Sequence, residues 1–161
     1  MDRLKLENVR LIFRNFRGAE GKFNRAGDRS FCVVLDAQKA QELIRAGWNV
    51  RTLDPREEGG DPLHYLSVKV SYKYASPRIF MVTKRCKTML DEDTVDTLDD
   101  VDIVSADIVI NPYEWEVNGK SGVSAYLRTL YANIEEDEFA DKYSFDENDE
   151  PRDDFYDDMP F

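Results

Sequence analysis

Alternating apolar and polar residues, together with one continuous apolar run, predict β-strands over about half of the first 134 residues of this chain. Residues 3–14 read as a long first strand with one slip in the alternation near Asn8, a pattern typical of a β-bulge. The apolar run at 29–35 predicts the second strand. The remaining predicted strands cover residues 64–74, 78–84, 101–117 and 122–134.

Two short helices are predicted between the strands. Asp36 is a suitable N-cap for a helix over 37–46, and Gly47 is suited to end it. The apolar face of that helix contains Ala40, Leu43 and Ile44. The segment 91–100 is predicted to form the second helix, because its two apolar residues have helical spacing.

Turn-forming residues separate the predicted elements. The segments 15–28 and 48–62 are rich in such residues and are predicted to be loops. A turn at 75–77 is expected between the two middle strands. Asn118 and Gly119 predict a tight hairpin between the last two strands, since Asn-Gly readily adopts the positive φ angles that such turns require.

These elements give five or six strands, with short helices inserted, in a body of about 134 residues. They predict an all-β fold, a five-stranded β-barrel of OB type with one helix between the middle strands and the final pair. A β-sandwich or another α+β arrangement is the alternative that the same elements allow.

Charge divides the chain into two parts. The net charge of −11 argues by itself against nucleic acid as a partner, because a polyanion repels an acidic protein. However, residues 1–134 carry 20 basic and 20 acidic side chains, whereas residues 135–161 carry 2 basic and 13 acidic ones. Dense like charge with few aliphatic residues cannot offset the entropy of ordering. We therefore expect a folded domain over 1–134 and a disordered acidic tail over 135–161.

Two stretches of the predicted domain are basic and interleaved with aromatic residues. Residues 3–29 contain eight basic and three acidic side chains, and residues 62–90 contain six basic and no acidic ones. The compensating acids are concentrated at 91–107, where eight acids meet no base. The domain should therefore present one positive face, with cations for backbone phosphates and flat rings for unpaired bases. The alternative is ordinary core strands with solvated Lys and Arg on their outer side.

Single-stranded DNA is the expected ligand of this face. On the last predicted hairpin, alternation places Tyr113 and Trp115 on one face. Tyr126 and Arg128 lie opposite Leu127, an expected core residue. The candidate DNA-binding residues are Arg10, Arg14, Phe16, Arg17, Lys22, Phe23, Arg25, Arg29, Lys69, Tyr72, Lys73, Tyr74, Arg78, Tyr113, Lys120, Tyr126 and Arg128. At least two base-stacking platforms are expected among Phe16, Phe23, Tyr72, Tyr74 and Tyr126.

The tail ends in a sequence that solubility alone does not explain. Its last five residues are Asp157, Asp158, Met159, Pro160 and Phe161. This ending resembles the C-terminal tip of bacterial single-stranded-DNA-binding proteins, in which acids precede an apolar residue, a proline and a terminal phenylalanine. The resemblance implies that these five residues bind replication and recombination proteins.

The predicted domain resembles a different group of proteins. Its segments Glu-Asn-Val-Arg-Leu-Ile-Phe-Arg-Asn-Phe, Gly-Trp-Asn-Val and Ile-Asn-Pro-Tyr-Glu-Trp-Glu-Val-Asn-Gly-Lys are similar to segments of single-stranded-DNA-binding proteins of tailed bacteriophages. The similarity runs through about residues 6–138. It implies an OB fold, no catalysis, and service in phage DNA replication, recombination and repair inside the infected cell.

No active site is predicted. His64 is the one histidine of the chain, and no nucleophile motif of a Ser or Cys accompanies it. The acids at 91–107 lack the glycine that a calcium loop needs, and there is no glycine-rich loop to hold a phosphate. We therefore expect a non-enzymatic protein without a metal or cofactor.

The two cysteines do not suggest a disulfide framework. Cys32 lies in an apolar run, where a small buried thiol is expected. No signal peptide and no apolar stretch long enough to span a membrane are recognised. The expected location is a reducing cytoplasm, that of the host cell for a phage protein.

Two other functions are compatible with parts of the pattern. An acidic DNA mimic could inhibit a host DNA-binding protein, although a mimic would spread its acids over the fold instead of placing most of them in a tail. A strand-annealing recombination protein would also bind single-stranded DNA and would in addition bring complementary strands together.

Overall fold

Nine strands and two short helices make up residues 1–136, the part of the chain that the computed structural model describes. The strands are β1 (Leu4–Val9), β2 (Leu11–Asn15), β3 (Arg29–Leu35), β4 (Val50–Leu53), β5 (Leu63–Val70), β6 (Arg78–Val82), β7 (Lys87–Leu90), β8 (Ile103–Val117) and β9 (Lys120–Ile134). The helices are α1 (Ala37–Arg45) and a 3-10 helix at Val95–Asp99. The prediction of an all-β fold with short inserted helices is confirmed. All of the predicted tail after Glu136 lies outside the described residues.

Five segments of the chain form a barrel with the strand order of an OB fold. The hydrogen-bonded order is β1-β8-β9-β5-β3-β2, and a single residue, Arg10, separates β1 from β2. β1 and β2 are therefore two halves of one first strand, and they close the barrel. The pairs along this path are antiparallel, except that β5 runs parallel to β9. This arrangement confirms the predicted five-stranded OB barrel.

The first strand breaks where the alternation of its sequence slips. Asn8 has a φ angle of 52°, and the pairing register with β8 shifts between Leu6 and Val9. The Asn8 amide donates a hydrogen bond of 2.8 Å to the Asp107 carboxylate, so this backbone group keeps a partner outside the ladder. The predicted bulge is confirmed.

The middle strands pair differently from what the turn at 75–77 suggests. β5 and β6 do not pair with each other; both run parallel to β9, β5 at Val68 and Lys69 and β6 over Arg78–Val82. β6 then forms a hairpin with β7, a strand that the sequence analysis missed. Residues 71–77 therefore connect β5 to β6, and these two strands pair with successive parts of β9.

The predicted loop at 48–62 contains β4. This short strand pairs with β5, from Val50 opposite Leu66 to Leu53 opposite Leu63. After Val50 its residues are all exposed, so the strand lacks the apolar alternation by which half-buried strands are recognised. The expectation of a structureless loop is wrong for these four residues.

Local signals place α1 where the sequence predicts it. The Lys39 amide donates a hydrogen bond of 2.7 Å to the Asp36 carboxylate, which confirms the N-cap. Gly47, just after the helix, has a φ angle of 96°, a conformation that favours glycine. Neither helix of the described chain is long and apolar enough to cross a membrane.

Both helices bury apolar residues against the barrel. Ala40 and Leu43 of α1 are buried, as predicted, but Ile44 is 53% exposed. Its assignment to the buried face is wrong, because this short helix packs through a narrower stripe. The predicted helix at 91–100 is the 3-10 helix, and its Val95 and Leu98 are fully buried.

The last two strands form a long hairpin. β8 and β9 pair from Ile103 opposite Ile134 to Val117 opposite Lys120. Asn118 and Gly119 have φ angles of 53° and 79°, so the predicted Asn-Gly turn is confirmed.

The barrel interior holds the large apolar side chains. The largest fully buried ones are Phe16, Phe31, Leu66, Ile79, Leu98, Ile108, Ile110 and Leu130. Phe16 and Phe31 stack with ring centres 5.1 Å apart. Since successive strand residues face opposite sides, the alternate residues of β5, β8 and β9 form the outer surface.

Candidate nucleic-acid interface

Three candidate residues meet on the outer surface of the barrel. Lys69 of β5 pairs with Tyr126 of β9, and its Nζ atom lies 5.6 Å from the centre of the Tyr126 ring. Tyr113 of β8 approaches the same ring edge to face, with centres 6.0 Å apart. Tyr113 is 59% exposed. We call Lys69, Tyr113 and Tyr126 the Tyr126 cluster; it combines a cation with accessible aromatic rings.

Trp115 lies beside this cluster on the same side of β8. It pairs with Gly122 of β9, and a side-chain carbon added at Gly122 would stand 2.7 Å from the indole ring. The indole therefore occupies space that any larger residue at position 122 would need. Trp115 is partly exposed and Tyr113 is more exposed. Both residues of this face are therefore outside the core.

A second group of cations and rings lies further along β9. Phe80 of β6 and Tyr131 of β9 stack with centres 4.8 Å apart and planes 10° from parallel. The Arg78 guanidinium lies 5.4 Å and the Lys87 Nζ atom 5.2 Å from the centre of the Phe80 ring. We call these four residues the Tyr131 cluster.

Both clusters lie on the outer side of β9. Tyr126 alternates with the buried Ala125 and Leu127, and Tyr131 lies between the buried Leu130 and Ala132. The register of β9 against β8 shifts between Leu127 and Thr129. Arg128 is the additional residue at this shift and is exposed between the two clusters.

Two candidate arginines are engaged inside the protein. Arg14 donates hydrogen bonds of 2.6 Å to the carbonyls of Leu98 and Val101. Arg29 donates one of 2.9 Å to the Phe16 carbonyl. Each guanidinium group thus hydrogen-bonds to the backbone of another segment of the chain. Their first role is to hold the chain around the 3-10 helix in place.

Arg17 is bound to the acidic segment. Its guanidinium lies 3.1 Å from Asp99 and 2.8 Å from Asp100, and these carboxylates raise its pKa, Asp100 most strongly. Asp99 also accepts hydrogen bonds from the amides of Phe16 and Arg17, at 2.8 and 2.9 Å. The 3-10 helix and the start of the 15–28 loop are thus tied together.

These contacts change the predicted distribution of charge. The sequence predicts that the basic stretch at 3–29 joins the positive face while the acids at 91–107 lie apart from it. In the structure, Arg17 and Arg29 pair with carboxylates of the acidic segment. The acidic segment therefore holds Arg17 and Arg29 of the first stretch, whereas the second stretch supplies the lysines and the arginine of the two clusters.

Of the five expected stacking platforms, one is buried and a second is only partly exposed. Phe16 is fully buried and stacks on Phe31, so its assignment as a platform is wrong. Tyr72 is packed against the core, and its ring is covered by Arg29 at 5.4 Å. Its hydroxyl is buried without a hydrogen-bond partner in the described structure. Burial raises the pKa of this hydroxyl.

The other two platforms outside the Tyr126 cluster are highly exposed. Phe23 is 94% and Tyr74 98% exposed. Lys22 lies 5.4 Å from the Phe23 ring centre, and Lys73 is exposed beside Tyr74. These four residues occupy the connections at 15–28 and 71–77, where they could add to an interface but are not fixed by packing.

The remaining candidates are dispersed over the surface. Lys120 is exposed at the tip of the β8–β9 hairpin. Arg25 forms an exposed ion pair with Asp28 at 3.3 Å. Arg10 lines a groove of ≈ 600 Å³ between the β1–β2 junction and the start of α1. The structure does not bring these three candidates together with the Tyr126 cluster through any direct contact.

Sequence reasoning did not select several residues of this surface. Phe13 and Tyr65 form an edge-to-face pair with centres 5.6 Å apart, and Phe13 is 59% exposed. Phe80, Lys87 and Tyr131 belong to the Tyr131 cluster. Interleaving of aromatic and basic residues marked the segments that hold Phe13, Tyr65, Phe80 and Lys87, but not the one that holds Tyr131. The grouping of these residues depends on strand pairings that are remote in sequence.

Cys32 is buried, as predicted, at 9% exposure. Its removal from water raises the pKa of its thiol. Cys86 is exposed. Within residues 1–136, no three His, Cys, Asp or Glu side chains are grouped closely enough to hold a metal ion.

Two solved structures of similar fold are of a protein from bacteriophage Enc34. The chain is similar to the C-terminally truncated single-stranded DNA-binding protein from bacteriophage Enc34, with a TM-score of 0.55 and 12% identity, over 84% of this chain and 87% of that one. It is also similar to the Enc34 protein in complex with single-stranded DNA, with a TM-score of 0.54 and 10% identity, over 84% and 88% of the two chains. Identities this low show the shared fold.

The sequence comparison gives the family. No curated protein sequence matches the chain. The model of a family described as "Putative phage ssDNA-binding domain" matches residues 1–154. Because this match covers nearly the whole chain, the protein belongs to the phage single-stranded-DNA-binding domain family.

Proposed function

We propose that this protein coats single-stranded DNA without marked sequence preference and protects it during phage replication, recombination and repair. The observation that carries the proposal is the Tyr126 cluster, in which a cation and two aromatic rings meet on the outer face of an OB barrel. Barrels of this kind bind oligonucleotides on their exposed sheet and adjoining loops.

The chemistry of the Tyr126 cluster suits an unpaired strand. Lys69 has no carboxylate partner within residues 1–136, so its charge is free to meet a phosphate. Tyr113 offers a ring on which a base can stack, and every base has a face for such stacking. Duplex DNA keeps its bases stacked on each other and gains only the charge contact. The cluster therefore favours single strands.

A protein of similar fold binds the same class of ligand. The Enc34 protein has been solved in complex with single-stranded DNA. We extend this ligand to the present chain because its barrel has the same fold and its outer face carries the required groups.

Binding to labelled single-stranded DNA, duplex DNA and RNA of one sequence, over a range of salt concentrations, tests the proposal. With about three to five phosphate contacts, the logarithm of the association constant should fall against log salt with a slope of roughly −2 to −4. Equal affinity for duplex and single strand would contradict the stacking mechanism. A lack of binding to any probe would contradict the function.

The second part of the proposal concerns the acidic tail. Its last residues, Asp157 to Phe161, resemble the tip of bacterial single-stranded-DNA-binding proteins. We assign to this tip the recruitment of replication and recombination proteins, through a pocket with a basic rim that takes the terminal ring and carboxylate. We propose the cytoplasm of the infected cell as the location of both activities.

A further inference from the structure

The β6–β7 hairpin is an addition to the five-stranded barrel. It joins the sheet through the parallel pairing of Arg78–Val82 with β9, and β7 pairs with β6. The hairpin brings Arg78, Phe80 and Lys87 to Tyr131, so the Tyr131 cluster exists because of this addition.

The cations of the Tyr131 cluster are unpaired in the described structure. Neither Arg78 nor Lys87 has a carboxylate partner within residues 1–136. In this they differ from Arg17, which two carboxylates hold. Two positive charges that no anion of the described domain neutralises form an anion-binding surface.

The rings of this cluster position the cations. Phe80 is only 6% exposed and stacks on Tyr131, so it offers little surface to a base. The Lys87 Nζ atom lies within reach of both rings, 5.2 Å and 5.9 Å from their centres. Attraction to the ring faces limits the positions that a long cationic side chain adopts. Less entropy is then lost when an anion binds.

The position of the cluster relates it to the proposed DNA site. Tyr126 and Tyr131 are five residues apart on β9, which corresponds to about 16 Å along an extended strand. Arg128 is exposed between them. An anionic chain that crosses the Tyr126 cluster and follows β9 would therefore meet Arg128 and then the Tyr131 cluster.

We propose that the Tyr131 cluster is a phosphate-binding extension of the DNA site, over which the backbone of single-stranded DNA continues from the barrel onto the β6–β7 hairpin. This inference rests on the proposed function. It assigns different roles to the two clusters: bases stack at the Tyr126 cluster, whereas Arg78 and Lys87 contact phosphates at the Tyr131 cluster. Short strands occupy the first cluster, and longer strands reach both.

The test compares the parent protein, residues 1–161, with the variant Arg78→Gln/Lys87→Gln. Affinity is measured by fluorescence anisotropy for oligothymidylates of about 4 to 16 nucleotides, the range of single OB-fold sites. For the shortest strands with detectable binding, the variant and the parent should have the same affinity. For longer strands, the affinity of the parent should increase, whereas that of the variant should not. For the longest strand its salt slope should be shallower by about 1.4, because each lost phosphate contact removes about 0.7.

A matched control removes two positive charges elsewhere. The variant Lys39→Gln/Arg45→Gln alters α1 by the same net charge and should keep the parent's length dependence and salt slope. Thermal unfolding of both variants shows that each is folded at the temperature of the assay. If the control loses the length dependence to the same degree, the effect is one of net charge, and the inference is wrong.

The other outcomes also decide the matter. An unchanged length dependence in Arg78→Gln/Lys87→Gln, with normal binding of short strands, overturns the inference and leaves the proposed function intact. The variant Arg78→Gln/Lys87→Gln could instead bind DNA more tightly than the parent, and this difference could disappear when residues 137–161 are removed from both proteins. That result would assign the two cations to binding of the acidic tail and would also overturn the inference. If the parent binds none of the strands, it is the proposed function that fails.

Discussion

Lys69 and Tyr126 lie side by side on parallel strands, with the ammonium nitrogen 5.6 Å from the ring centre, although they are 57 positions apart in the sequence. Their pairing arises from the parallel contact of β5 with β9. It places a charge for a phosphate on one side of the Tyr126 ring, whose other neighbour is the exposed ring of Tyr113.

Tyr113→Ala should weaken binding to single-stranded DNA by about 1–3 kcal/mol, the usual contribution of a ring on which a base stacks. Tyr113→Phe keeps the ring and should bind nearly as the parent does. Anisotropy titrations with one oligothymidylate measure both. Parent-like affinity of the alanine variant would show that no base stacks at this position.

Phe16→Ala should lower the free energy of unfolding by about 3–5 kcal/mol, because it removes a fully buried ring from the core. Urea denaturation measures the loss. Phe23→Ala is the matched control: Phe23 is 94% exposed, and its removal should change stability by less than about 0.5 kcal/mol. Equal stability of the two variants would contradict the burial of Phe16.

Gly122→Ala should displace the indole of Trp115, since the added carbon would stand 2.7 Å from it. We expect a loss of stability of about 1–3 kcal/mol, as for other over-packed sites, together with a shift in tryptophan emission. Gly21→Ala is the control, because a carbon added there meets nothing within 4 Å. A parent-like emission spectrum of Gly122→Ala would contradict this packing.

The two cysteines should differ in reactivity toward iodoacetamide. The thiolate is the reactive form, and burial raises the pKa of the Cys32 thiol. At a given pH, a smaller fraction of Cys32 is therefore ionised than of a thiol with the ordinary pKa. Burial also restricts the access of the reagent to Cys32. At neutral to mildly alkaline pH, peptide mass spectrometry should find Cys86 modified first and Cys32 only after unfolding. Equal rates in the folded protein would contradict this.

Removal of residues 137–161 should raise affinity for single-stranded DNA, most strongly at low salt, where screening is weakest. A flexible segment of this length has a root-mean-square end-to-end distance of roughly 30 Å. A folded domain of the size of residues 1–136 has a radius of gyration of about 14 Å. The acids of residues 137–161 can then compete with DNA for the cations of the domain. Unchanged affinity at low salt would count against such competition.

Deletion of Met159, Pro160 and Phe161 alone should leave DNA affinity nearly unchanged, because it removes almost no charge. It should abolish capture of the replication or recombination proteins that the intact tail binds. Pull-downs from phage-infected cells with the intact and shortened proteins make the comparison. Capture of the same proteins by both would show that the tip does not recruit them.

The sequence predicted those features that depend on neighbouring residues. The bulge at Asn8, the cap at Asp36 and the turn at Asn118-Gly119 each follow from a local conformational preference, and each is present in the structure. The barrel was also predicted from the sequence, because the number and order of the predicted strands restrict the choice of fold.

Features that depend on distant pairings were not predicted. Arg17 meets Asp99 across 82 residues, and the separation of basic and acidic stretches along the chain concealed this contact. Phe16 looked like an exposed ring among basic residues, yet it is part of the core. Tyr131 was not selected at all, since its partner Phe80 is brought beside it by a parallel pairing that no short sequence pattern shows.

The position of β9 has a consequence for the synthesis of the protein. This last strand of the domain pairs with β5, β6 and β8, so these contacts are complete only when the chain up to Ile134 has left the ribosome. At about 5–20 residues per second, the earlier strands wait several seconds without their main partner. During that time the nascent chain exposes cations and aromatic rings close to cellular RNA, and the acidic residues that follow Ile134 emerge only afterwards.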